Sequence, residues 1–194
     1  MKMRITLFTL LTSLLLFSIL TSAQEKKPAK PRTSLKAGVS QTIGVDTDVK
    51  IVYCRPGVKG REIWGKLVPY GMAPGGKESN NKPYPWRGGA NENTTIEFSK
   101  NVLVEGKKID AGKYGVHFIP GEKEWVIIFS KNNASWGSYS YDAKDDALRI
   151  TVTPVKAPFQ EWLAYGFDNP DNNSASAFLH WAELKVPFKV AVAE

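Results

Sequence analysis

The sequence predicts an all-β fold, a single β-sandwich or jelly-roll-like domain of roughly nine or ten antiparallel strands, on three observations. From Val39 onward apolar and polar residues alternate in short segments, glycine, proline and asparagine separate those segments, and no window is long enough for an amphipathic helix. With turn signals between strands of modest length, two sheets packed face to face follow more readily than one open sheet.

Residues 1–23 begin with Lys2 and Arg4, continue through an apolar run from Leu7 to Leu20, and close on Thr21-Ser22-Ala23. That is the pattern of a secretory leader cut after Ala23, and the apolar run is short for a membrane span. Residues 24–34 are rich in lysine and proline and read as a disordered or extended tether. Residues 35–194 form the β-domain, long enough to close a full hydrophobic core. With one cysteine, Cys54, no disulfide forms within the chain, and no acylated lipoprotein cysteine follows the leader.

Within the domain, Val49, Ile51 and Tyr53 share one face of a strand, as do Ile96 and Phe98, then Tyr114, Val116 and Phe118, then Trp125, Ile127 and Phe129. Leu148, Ile150 and Val152 follow, then a run of alternate residues from Phe159 to Phe167, then Phe178 to Trp181, and last Val186, Phe188 and Val190. Glu105-Gly106 and Pro120-Gly121-Glu122-Lys123 read as hairpin turns. Pro154, Pro158 and Pro187 bound strands or mark edges, where a missing N–H costs least. Residues 72–85 lack apolar periodicity and read as a surface loop held down by Tyr84 and Trp86.

The formal charge is +7, and loss of Lys2 and Arg4 with the leader lowers it by two. The remaining lysines are scattered, which argues against a nucleic-acid groove, since such a groove needs a clustered basic face with interleaved aromatics.

Chemistry concentrates in two loops. Arg55, Arg61 and Arg87 could gather as donors for a carboxylate, phosphate or sulfate, with neighbouring glycines allowing close backbone approach. The alternative is that they pair with Glu62, Glu92 or Asp110 and pin loops to the sandwich. Asn91 and Glu92 stand where a loop enters a strand; they cap backbone groups there, or they serve as a polarising donor and a general base. Trp64, Trp86 and Trp136 are flanked by glycine and polar residues, as an aromatic platform for a glycan would be, whereas Trp125 and one of Trp162 or Trp181 read as core.

Other groups carry less. His117 and His180 sit among apolar strand residues without the ligand set of a metal site, and Cys54 reads as a small buried thiol. The glycine-rich stretch 71–77 has Glu78 where a P-loop needs Ser or Thr, and the Asp/Asn-rich stretch 168–173 lacks the distal glutamate of a calcium loop. No cofactor signature is present.

Taken together, the stretches 39–44, 53–65, 67–71, 86–95, 111–115, 119–125 and 136–149 resemble the bacterial family called domain of unknown function 2911, over nearly all of residues 35–190. The resemblance implies an exported, mostly β domain and supplies no activity or cofactor. Arg55, Arg61, Trp86, Arg87, Asn91 and Glu92 fall on its motif. Two departures abut them: Cys54 stands where a small hydroxyl residue is usual, and the loop 72–85 is longer.

The expectation is a periplasmic or secreted protein without a transmembrane anchor. Its leading function is a non-enzymatic binding or envelope-associated module for an anionic or glycan ligand held by Arg55, Arg61, Trp86, Arg87, Asn91 and Glu92. A hydrolase using Glu92 or His117 and a purely structural envelope protein are the alternatives. The sequence sets no oligomeric state.

Overall fold

The computed structural model describes residues 30–193. The expected leader at 1–23 and tether residues 24–29 lie outside them. The folded unit starts at Arg32, so the end of the expected tether belongs to the domain.

Among the described residues ten strands follow one another: β1 (Leu35–Ile43), β2 (Thr47–Arg55), β3 (Thr95–Phe98), β4 (Val102–Val104), β5 (Lys107–Ile109), β6 (Gly112–Ile119), β7 (Trp125–Ser130), β8 (Asp146–Val152), β9 (Val155–Asp168) and β10 (Ser174–Val192). They make two antiparallel sheets, ordered β1-β2-β3-β6-β7-β8 and β5-β4-β10-β9. This is the all-β architecture of two layers that alternation predicts. Among the described residues no helix is long and apolar enough to cross a membrane.

The period of two decides which side chains fill the space between the sheets. Val49, Ile51, Phe98, Val116, Phe118, Trp125, Ile127 and Phe129 from the first sheet are all buried, and Leu163, Tyr165, Leu179, Trp181, Val186 and Phe188 meet them from the second. Each such side chain contributes about 1.5–3 kcal/mol when fully buried. Glu105 (φ 49°) and Gly106 (φ 75°) turn β4 into β5 with both central residues left-handed, as a tight hairpin whose twist matches its strands requires.

β10 is one strand where alternation suggests two, and the reason lies at Ala182. Its φ of 50° and the register shifts on either side of it mark a bulge. Inward residues are odd-numbered before it (Ala177, Leu179, Trp181) and even-numbered after it (Val186, Phe188, Val190). Pro187 falls between Lys185, the last residue paired with β9, and Val190, the first paired with β4, so its missing N–H breaks neither ladder.

Phe159, aligned by sequence with Leu163 and Tyr165, is instead 56% exposed, because it lies across from the bulge, where β9 and β10 lose their common register. The outer face of the first sheet is covered in part: His117 and Ile128 point away from the sandwich interior yet are buried.

Candidate functional site

The loop after β2 leaves the first sheet and runs along β9. Leu163 N–H donates to Pro56 O (3.0 Å), Val58 N–H to Glu161 O (2.9 Å), and Gly57 bridges Trp162. A turn with Lys59 (φ 49°) and Gly60 (φ 68°) then brings Arg61 back onto this segment. The Arg61 guanidinium donates through Nε to Val58 O (3.1 Å) and through Nη2 to Gly57 O (2.6 Å), which fixes its plane. Trp86 enters from the other long loop and exchanges both backbone hydrogen bonds with Phe118, at 2.8 and 2.7 Å.

These loops close one end of the sandwich with an aromatic knot. Trp64 lies 5.0 Å from Trp125, 5.8 Å from Trp86 and 5.9 Å from Trp181, and Trp86 stacks on Trp181 at 6.0 Å and 16°. Trp64 and Trp86 therefore spend most of their surface on one another and on the core, unlike the open platform the flanking glycines suggest. Trp136 is 59% exposed, and of the pair Trp162 and Trp181 it is Trp181 that is core.

Against this knot opens a cavity of ≈ 350 Å³, with Thr33 and Ser34 from the N-terminal strap, Lys59 and Arg61 from the first loop, and Trp86 and Trp181 as its aromatic wall. Of the sequence-predicted residues, it brings together Arg61 and Trp86. Arg55 is elsewhere: its Nε donates to Leu163 O (3.0 Å), and it borders an adjoining cavity of ≈ 460 Å³ with Arg32, Thr33, Leu35, Lys36 and Trp162.

Arg87 faces neither cavity. Its Nη1 donates to Asn91 O (2.5 Å), its guanidinium lies 4.6 Å over the Tyr139 ring, and it packs so closely on Gly137 that any side chain there would strike it. The three arginines thus do not share one hollow. Nor are they tethers to acids, since among the described residues no ion pair joins Arg55, Arg61 or Arg87 to a carboxylate.

Asn91, at φ 60°, donates from Nδ2 to Ser34 O (3.3 Å) and so ties the strap to its loop. Glu92 takes a two-pronged contact from Arg32, with Nη1 to Oε2 at 2.7 Å and Nη2 to Oε1 at 2.6 Å, and its Oε2 also accepts from the Cys54 thiol at 3.4 Å. Hydrogen bonding from Arg32, then from the Glu92 backbone N–H, draws the Glu92 carboxyl down to about 2. Burial first, and then the Glu92 carboxylate, push the Cys54 thiol up. A carboxylate so stabilised is a weak base, and a protonated thiol a weak nucleophile.

His117 is buried, with Nδ1 and Ser138 Oγ 2.8 Å apart and Tyr141 edge-on at 5.7 Å. Burial first, then the charge of Arg87, pull its pKa down to about 4. Its imidazole in the unfolded chain titrates near 6.5, so the unfolded state takes up the proton first. Stability is therefore full above about pH 6.5, falls as pH drops toward about 4, and at low pH is lower by on the order of 3 kcal/mol from this group. Urea titrations of the parent and of His117→Gln between pH 7 and 4 should show the steeper loss in the parent; parallel pH profiles would exclude His117 as the source. His180, by contrast, is partly exposed, with Nε2 2.9 Å from Pro158 O.

The remaining sequence features are structural. Residues 77–79 form a single 3-10 turn in the glycine-rich loop, and Asp171 accepts from Asn173 and Ser174 N–H groups at 2.8 and 2.6 Å as a plain turn cap. Among the described residues no three His, Cys, Asp or Glu side chains gather as a metal cluster would require.

A family model described as "Protein of unknown function (DUF2911)" matches residues 34–190. No curated protein and no solved structure matches the chain.

Proposed function

The chain belongs to the family described as "Protein of unknown function (DUF2911)", and we propose that it is an exported, non-enzymatic binding domain of the cell envelope that holds an anionic or glycan ligand in the cavity of Arg61, Lys59 and Trp86. One observation carries this reading. Arg61 is held in place by two backbone carbonyls rather than by an acid, so its charge is fixed at the cavity without being neutralised. Lys59 adds a second cation, and Trp86, half-buried against the core ring of Trp181, adds apolar surface of the kind that binding sites use around a few directed polar groups.

Hydrolysis is less well supported, because Glu92 is committed to Arg32 and His117 is buried on the far side of the first sheet, and neither lines this cavity. A purely structural role would leave Arg61 as a loop brace alone.

Thermal denaturation with galacturonate, glucuronate and sugar phosphates separates these readings. A ligand at a hundredfold its Kd stabilises by about 2.7 kcal/mol, which for a domain of this size raises the melting midpoint by roughly 5–10 °C. Arg61→Ala is expected to abolish that rise, and Arg87→Ala to lower the ligand-free midpoint while keeping it. Absence of any rise with all these compounds, or a rise that survives Arg61→Ala, defeats the proposal.

A further inference from the structure

The adjoining ≈ 460 Å³ cavity is continuous in its lining with the Arg61 cavity, and this continuity bears on what the ligand is. Thr33 borders both cavities. Lys59, on the first, places its Nζ 5.7 Å over the ring of Trp162, on the second. Gly57 lines the first and bridges Trp162 by backbone pairing, and a Cβ on Gly57 would lie 3.1 Å from Trp162 Cζ3, so the glycine lets loop and indole sit against each other.

Trp162 is turned outward because its neighbour Leu163 and then Tyr165 point into the core. It remains 41% exposed, and Leu35 beside it is 64% exposed. A large ring held by backbone contact but left in water is a surface available for stacking.

Charge repeats in the same direction as aromatic surface. The first cavity has Arg61 and Lys59 with Trp86, and the second has Arg55 and Lys36 with Trp162. Arg32 also borders the second but is engaged by Glu92. Arg55 spends its Nε on Leu163 O, which orients the guanidinium as the two carbonyls orient Arg61. Two neighbouring hollows, each of a size that takes a small molecule, each offering cations beside an indole, match a ligand whose unit repeats and whose every unit carries one acid and one apolar ring face.

We infer that the ligand is an acidic oligosaccharide, a chain of uronic-acid-type sugars, running from the Arg61 cavity past Thr33 into a second subsite where Trp162 stacks on a sugar ring and Arg55 and Lys36 meet its carboxylate. This rests on the Arg61 cavity being a binding site and adds a second subsite and a polymer to it. Binding two linked units at once raises affinity through effective concentration without new chemistry.

Calorimetric titration with galacturonate, tetragalacturonate, uncharged maltotetraose and polyglutamate tests the inference. Tetragalacturonate is expected to bind at least about tenfold more tightly than galacturonate, and maltotetraose not at all. Trp162→Ala should remove most of the tetramer's advantage, Trp162→Phe should restore part of it, and Arg61→Ala should weaken both uronates; each variant's melting midpoint reports whether it is folded. Equal affinity for monomer and tetramer, or a tetramer affinity indifferent to Trp162→Ala, overturns the second subsite and leaves the Arg61 cavity standing. Uronate binding indifferent to Arg61→Ala, or no uronate binding at all, overturns both. Polyglutamate binding as tightly as tetragalacturonate, with the same dependence on Trp162, makes the partner an acidic peptide and overturns the sugar assignment.

Discussion

Replacing Trp125 with alanine is expected to destabilise the domain by about 3–5 kcal/mol, the cost of emptying a buried aromatic site. For a domain of this size that lowers the melting midpoint by roughly 6–20 °C. The ring is fully buried and touches Trp64 and Phe118, with centroids at 5.0 and 6.1 Å, so its removal opens a void beneath both long loops at once. Its Nε1 is buried and has no acceptor among the described residues. An unbonded buried donor costs about 1–3 kcal/mol, so Trp125→Phe, which keeps a ring and deletes that donor, should recover most of the loss. Calorimetric melting of both variants checks this. A Trp125→Ala midpoint within a few degrees of the parent, or a Trp125→Phe midpoint as low as that of Trp125→Ala, would show that the tryptophan knot does not hold this end of the sandwich together.

Gly88→Val is expected to have an effect of similar size by the opposite route. Gly88 has φ +61°, and a Cβ placed on it would collide with the Phe118 ring, whose Cδ2 would be 2.8 Å away, and with the hydroxyl of Tyr165. Backbone strain costs on the order of 1–3 kcal/mol and overpacking a similar amount. The damage spreads, because Gly88 O accepts from Tyr165 Oη at 2.9 Å and from Thr94 Oγ1 at 3.2 Å, which fastens the loop to β9 and to the residue that leads into β3. Gly60 is the matched control: it has φ +68°, but a Cβ there meets nothing within 4 Å. Gly60→Val should therefore lose only the conformational part, on the order of 1–3 kcal/mol. Equal midpoints for the two variants would mean that contact with Phe118 and Tyr165 contributes nothing.

Much of the sandwich was legible because a strand's side chains alternate and a buried face leaves its print on the sequence. Val49-Ile51-Tyr53 and Trp125-Ile127-Phe129 read correctly for that reason alone. β1 was harder to read, since at the sheet edge its inward residues Ala37 and Val39 are only half-buried and the alternation fades. β10 reads as two pieces because the bulge at Ala182 reverses parity in mid-strand, and nothing in Trp181-Ala182-Glu183 announces a left-handed residue.

The site was legible in residue type and not in direction. Arg55, Arg61 and Arg87 are alike on paper, yet each leaves its loop toward a different neighbour: Leu163 O, the carbonyls of Gly57 and Val58, and the ring of Tyr139. Trp64 and Trp86 carry the glycine neighbours of an exposed loop and are drawn inward by tertiary packing that no local window contains. Arg32 reads as tether because lysine and proline surround it; its engagement with Glu92 depends on a loop sixty residues away in sequence. Lys59 lies inside the stretch 53–65 with nothing in it to show which way the side chain turns, and Trp162 carries no motif. Only outward placement on β9 and the turn at Gly60 bring them together.

The placement of β10 has a consequence for how the molecule is assembled in time. It lies between β4 and β9 in the smaller sheet, yet its residues are the last of the ten strands to be synthesised. The β4–β5 hairpin therefore emerges early and must wait, with the open flank of β4 unbonded, until Val190 and its neighbours arrive to zip against it. Closure depends on joining distant stretches, which in two-state β proteins places folding in the millisecond-to-second range. During that interval the waiting flank is the place where a second nascent chain could pair in error.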